Sequence, residues 1–351
     1  MRRTALALPF LVLATAGHAQ VEAPLAERLA TTAAALRAAL PEDAHGDALY
    51  AFEDDERTDI HFAPIGIDGA RHGALPDEAA SLAEQLLALS LGPRGHATAR
   101  LIRRNELAVM EEELEGWMPD FFVRRFRDPG RYFVALFGTP GPDAPWGFRY
   151  EGHHLSLNLT LVPGGAPAST PFFLGAQPRI VPAGGPDAGA RVLGAEEDAA
   201  RALVAALPEA LRERATLRYA DGRDLMAGQV PRLERGDPAG VSRGEAPPEA
   251  QVHYDTLVAL FATQLAAEVG HARIAEIDAA GRDRLHFLWA EAEEPPGAFY
   301  FRLEGPRTLI EVDNTTDGDH VHAVWHDPAG DFGDHLLAAH LRAAHGLALR
   351  E

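Results

Sequence analysis

Residues 148–162 read Phe-Arg-Tyr-Glu-Gly-His-His-Leu-Ser-Leu-Asn-Leu-Thr-Leu-Val. Apolar and polar residues alternate, the period of a half-buried β-strand. Glu151, His153, Leu155, Leu157, Leu159 and Leu161 fall on one face of such a strand, and Tyr150, Gly152, His154, Ser156 and Asn158 on the other. The leucine face must be core, which places His154 on the polar face. His153 points with the leucines unless Gly152 hosts a bulge, a common role of glycine within a strand.

Strand patterns fall in two clusters. The first is Tyr132–Phe137 and Phe148–Val162; the second is Leu285–Ala290, Phe299–Leu303, Thr308–Asn314 and His320–Trp325. Short turns with Pro-Gly, Gly-Pro and Asp-Gly-Asp separate them, which predicts antiparallel meanders. Helical spacing covers residues 20–45 through Leu25, Leu29, Leu36 and Leu40. It recurs over Asp77–Glu115, broken at Gly92-Pro93, and over Gly194–Thr216 and Tyr254–Ala280. Residues 46–76 are turn-rich, and 163–190 and 231–250 read as loops. The expected fold is α+β, an antiparallel sheet core with amphipathic helices packed alongside. Its expected organisation is a signal peptide at 1–19, a helix at 20–45 and a single domain over 46–351. No internal repeat is legible.

In the second cluster His320, His322, Val324 and His326 share a face. Histidines two apart on a strand project side by side, roughly 7 Å apart, a spacing that suits two imidazoles on one ion. The preceding strand brings Glu311 and Asp313 to one face, with Asn314 beside the turn. Any single histidine is more simply a hydrogen-bond partner of backbone. The adjacent pair together with the H-x-H and nearby acids points to a metal site, with zinc the first expectation and copper or iron the alternatives.

Composition narrows the chemistry. Arg2 and Arg3, the apolar run Ala5–Ala14 and small residues up to Ala19 fit an export signal, so a periplasmic or secreted protein is expected. The formal charge of −20 disfavours nucleic acid and anionic membrane as partners. The chain has no cysteine, which removes thiolate ligands and disulfides. Every basic residue other than histidine is arginine, which removes lysine Schiff-base and P-loop chemistry.

The same blocks carry a resemblance. Tyr132–Gly138 and Pro145–Asn158, then Gly305-Pro306, Leu309–Thr315, His320-Val321-His322, Val324-Trp325 and Gly330–Gly333 resemble domain-of-unknown-function family 3500. Arg127-Asp128-Pro129, Phe173-Leu174-Gly175, Arg191-Val192-Leu193 and Glu196-Glu197 agree more weakly. The resemblance covers about residues 50–345 and implies that Glu151, His153, His154, His320 and His322 matter. His326 stands where the family pattern has arginine, which demotes it as a ligand. The family supplies no activity.

Other signals are weaker. Gly240-Val241-Ser242-Arg243-Gly244 matches G-x-S-x-G, but prolines on both sides deny it the strand and helix of a nucleophile elbow. Glu111-Glu112-Glu113 reads as a solvated face, Trp117, Phe121 and Phe122 as core or a helix-end contact, and Glu197 and Arg201 as an ion pair one turn apart. His335, His340 and His345 drift round a helix and read as surface, with His340 a reserve ligand.

The resulting expectation is a metalloenzyme acting on a small-molecule or peptide substrate, hydrolysis first and copper or iron redox chemistry second. His154, His320, His322 and His153 are the expected ligands. Glu151 is the candidate general base and Arg149 the anion stabiliser, and Asp313, Glu311 and Asn314 orient the imidazoles. A non-catalytic metal-binding or structural role is the competing reading, and the oligomeric state is left open.

Overall fold

Among the described residues, eleven strands pair into one sheet. They are β1 (Leu49–Tyr50), β2 (Ala70–Arg71), β3 (Phe133–Phe137), β4 (Trp146–Gly152), β5 (Leu155–Leu161), β6 (Phe172–Ala176), β7 (Val241–Ser242), β8 (His286–Glu291), β9 (Phe299–Gly305), β10 (Thr308–Asp313) and β11 (Val321–His326). The order is β1-β3-β4-β5-β6-β11-β10-β9-β8-β7, with β2 also on β3. All these pairings are antiparallel except β1 with β3. The computed structural model describes residues 23–63, 65–183, 186–217, 237–292 and 297–345, so the expected signal peptide lies outside it.

The leucine face of β5 is core, as its alternation predicts. Leu155, Leu157 and Leu159 pack in one cluster with Leu29 and Leu36 of the Leu25–Ala39 helix and with Leu86, Leu257 and Phe261 of later helices. The Asp77–Glu115 pattern breaks as expected, into helices Asp77–Ser90 and Pro93–Leu114, the second opening on its proline. The other two helical stretches are also broken. Pro208 separates Gly194–Ala206 from Glu209–Ala215, and Pro248–Ala262 is followed by Ala267–Gly281.

The polar face of β4 and β5 is buried too, rather than solvated. Residues 56–61 and Asp68 lie over it: Arg149 donates to the carbonyls of Glu56, Asp59 and Asp68, and the His61 amide donates to Glu151. The expected loop at 163–190 contains β6, which sits at the middle of the sheet between β5 and β11. The expected loop at 231–250 holds β7 and the start of a helix within its described part. There Ser242 closes a capping box with Glu245, accepting no role as an elbow nucleophile.

The strand order reads alike from both ends, and the element order repeats. Two helices lead to a residue pair or bridge parallel to the meander, Leu49 on Leu136 in the first half and Thr216 on Trp289 in the second. A two-residue strand, a 3-10 turn, two helices and four antiparallel strands then follow in each half, the first half carrying one more helix, Asp120–Arg127, before its strands. The halves meet where β6 pairs with β11. The repeat that sequence reading misses leaves only short echoes: Gly73-Ala-Leu-Pro-Asp-Glu-Ala79 against Gly244-Glu-Ala-Pro-Pro-Glu-Ala250, and Phe148-Arg-Tyr-Glu-Gly152 against Phe301-Arg-Leu-Glu-Gly305.

Candidate metal centre

His153 and His154 are not strand residues. β4 ends at Gly152 and β5 begins at Leu155, so the two histidines form the hairpin turn. No bulge occurs at Gly152. Its missing side chain instead admits the Tyr132 ring, which a Cβ would meet at 2.6 Å, and the Tyr132 hydroxyl donates to the His153 carbonyl at 2.7 Å. His154 takes φ +64°, a conformation that histidine adopts more readily than most residues. Tyr132→Phe is expected to cost about 1 kcal/mol, read from urea unfolding, because it strips a hydrogen bond from this turn.

The turn carries His154 to the far ends of β6 and β11. His154 Nε2 lies 2.9 Å from His320 Nε2. One ligand atom from each of His154, His320 and His322 falls within 4.8 Å of the others. Two nitrogens bound to one tetrahedral zinc stand roughly 3.3 Å apart, so this set fits such an ion after small ring movements. Gly175 forms the floor. It pairs with His322, and its amide donates to the His154 carbonyl at 2.8 Å. A Cβ at Gly175 would stand 2.9 Å from Cδ2 of both His154 and His322. Phe62 and Phe173 stack at 4.1 Å, and each ring also packs against His322. His154 is fully buried, while His320 and His153 are half-buried and give the site its opening.

Glu106 anchors the arrangement, and sequence reading misses it. His154 Nδ1 meets Glu106 Oε1 at 2.5 Å. Burial holds His154 well below the ordinary histidine range, with the neighbouring His153 adding to the effect. A neutral His154 therefore donates Nδ1–H to Glu106 and turns its Nε2 lone pair to the other imidazoles. Burial works to raise Glu106, but the adjoining His153 and the hydrogen-bonded His154 outweigh it and hold the carboxyl well below its usual range. His153 Nδ1 is 3.1 Å from Glu106 Oε2 but is out of line for a strong hydrogen bond. The buried Arg127 secures the same carboxylate at 3.1 Å. A signal for Glu106 exists in the sequence. Helical spacing puts it on the stripe of Ile102, Val109 and Met110, where a carboxylate needs a partner.

Two expected catalytic residues lie elsewhere. Arg149 and Glu151 do not join the clustered imidazoles. Arg149 is 1% exposed and is consumed by Glu56 and backbone carbonyls. Glu151 accepts from Ser156 Oγ and the His61 amide, each at 2.7 Å. Their mutual contact of 3.4 Å recurs between Arg302 and Glu304, where the following turn is Pro306-Arg307. The pair therefore tracks the repeated hairpin, not the histidines.

Among the residues expected to orient imidazoles, Asp313 is the register partner of His322 and accepts from the Thr315 amide at 3.0 Å. Glu311 accepts from the Tyr300 hydroxyl at 2.6 Å. Asn314 ties Phe299 N to Gly318 O across the β10–β11 turn. His326 is buried against Asp331 at 2.6 Å, outside the cluster.

The second half shows what this position does without histidine. Arg307, at the equivalent turn, binds Asp327 and Glu276, the latter from the Ala267–Gly281 helix. Glu276, Asp327 and His335 could group around an ion, but Arg273 and Arg307 already neutralise them. His335 is thus a partner of Glu276 at 3.0 Å rather than a solvated residue. Glu197 and Arg201 pair at 3.0 Å as expected, whereas Glu113 of the acidic run reaches Arg127 at 3.2 Å. Trp117, Phe121 and Phe122 are exposed, not core.

No curated protein and no solved structure matches the chain. Residues 22–334 match the model of a family described as Protein of unknown function (DUF3500), so the chain belongs to that family.

Proposed function

We propose that this chain is an exported metal-binding protein in which His154, His320 and His322 hold one divalent ion, and that the ion serves hydrolysis. The observation that carries this reading is the meeting of His154 Nε2 with His320 Nε2 at 2.9 Å beside His322, with His154 Nδ1 held by Glu106. An all-imidazole set with an open side favours zinc, which would polarise a substrate carbonyl or water. Phe62 and Phe173 exclude water from one side of the site. Glu106 fixes the His154 ring, and the half-buried His153 stacks on His154 at 3.8 Å. Glu151 and Arg149 have no part in this proposal. The export reading rests on the first nineteen residues alone.

The mature protein is expected to carry about one equivalent of zinc per chain by elemental analysis and to melt at lower temperature after chelation. His154→Ala with His322→Ala should abolish both effects. Copper or iron at the same stoichiometry would move the chemistry to redox. A metal-free protein with unchanged melting would end the proposal.

A further inference from the structure

Residues 115–132, between the Pro93–Leu114 helix and β3, have no counterpart in the second half, where a single 3-10 turn joins the Ala267–Gly281 helix to β8. This added segment includes the Asp120–Arg127 helix. It brings Arg124 and Arg125 to Arg71, at the end of β2, and to Arg131, on the approach to β3. The four arginines line a cleft of about 270 Å³ with Phe121 and Asp128.

The charge balance of the cleft is unusual for this chain. Buried arginines elsewhere are paired: Arg127 with Glu106, Arg149 with Glu56 and Arg273 with Asp327. In the cleft four guanidiniums face one carboxylate. Asp128 already takes Arg71 at 2.8 Å and the Gly130 amide at 2.7 Å. Arg131 keeps a buried Nε with no hydrogen-bond partner among the described residues. Burial, and then repulsion from Arg71 and Arg125, push its guanidinium below the ordinary range. Like charges gathered in a protein of net charge −20 call for an anion, and the planar guanidinium fork matches an oxyanion's paired oxygens.

The cleft also adjoins the histidine turn. Phe133 pairs with Glu151, so Arg131 and His153 each stand two residues beyond the same end of that pairing. The Phe126 ring, from the same added helix, lies edge-on to His153 at 6.4 Å. We propose that the cleft formed by Arg71, Arg124, Arg125 and Arg131 binds the phosphate or carboxylate group of a small organic anion, whose apolar part rests on Phe121. This site is built from residues outside the proposed ion ligands, so it can stand or fall separately from them.

The test is calorimetric titration of the full mature chain with phenyl phosphate and with inorganic phosphate. Saturable one-site binding is expected, tighter for phenyl phosphate. Arg124→Gln with Arg125→Gln should weaken it about tenfold or more. Neither substitution orphans a partner, so the double variant should melt as wild type does. His322→Ala should leave the affinity unchanged. Absence of saturable binding, or binding indifferent to the double variant, would overturn the proposal. So would binding that His322→Ala removes and the arginine variant keeps, because the anion would then sit on the ion. Attachment to anionic lipid vesicles without binding of either small phosphate would overturn it as well.

Discussion

Replacing Glu106 by glutamine is expected to weaken metal binding about ten- to a hundredfold and to destabilise the fold by about 3 kcal/mol. Both effects come from one buried carboxylate. It accepts from His154 and Arg127 and sits beside His153, so one side chain holds the His154 ring, the hairpin turn and the added helix together. A glutamine keeps the shape but presents an amide nitrogen to at least one donor and supplies no charge for Arg127. The stability loss sits at the low end for a broken buried pair, because Glu113 and the Gln177 carbonyl still contact Arg127. Urea unfolding of the metal-free protein isolates the structural part, and competition with a chelator of known affinity isolates the metal part. Wild-type metal affinity in Glu106→Gln would remove Glu106 from the account.

Gly95→Ala is expected to cost about 3 kcal/mol or more, the largest loss from a single methyl group. An added Cβ would stand 1.8 Å from the Gln264 carbonyl oxygen, and backbone on both sides leaves little room to yield. This contact joins the halves: Leu91 bridges Leu265, and the Gly92 amide donates to Gln264 O. The return contact is the Ala266 amide donating to Ser90 O at 3.0 Å, and Gly270 is tight against its own half, where a Cβ would meet Ala262 O at 2.3 Å. Urea unfolding checks the value. A loss below 1 kcal/mol would mean that the helices are free to slide apart there.

The second strand cluster was legible to within two residues at each end, because β8 to β11 alternate plainly and turn-forming residues separate them. The first was not. A two-residue hairpin turn usually announces itself with asparagine or glycine, and His153-His154 carries no such mark, so β4 and β5 read as one strand. Parity computed across a hairpin reverses at the turn. Arg149 and Glu151 accordingly share a face with Asn158 and Ser156, their register partners, rather than with the leucines. β6 was hidden by Pro171 and Gly175, although the glycine is what lets two imidazoles lie on that strand.

The candidate site was legible in its clustered histidines and illegible in their support. His154, His320 and His322 are chemically conspicuous, whereas Glu106 looks like any charged helix residue until its place on an apolar stripe is noticed. The repeat stayed hidden because pairing and burial maintain it with few identical residues. Seeing it changes the reading of Glu151 and Arg149, since Arg302 and Glu304 make the same contact beside a turn without histidine.

The most direct measurement is an anomalous difference map from crystals of the zinc-loaded protein, collected above and below the zinc edge. One strong peak per chain is expected about 2.1 Å from nitrogens of His154, His320 and His322, with Glu106 still on His154 Nδ1. No peak there, or a peak only beside Glu276, Asp327 and His335, would contradict this expectation.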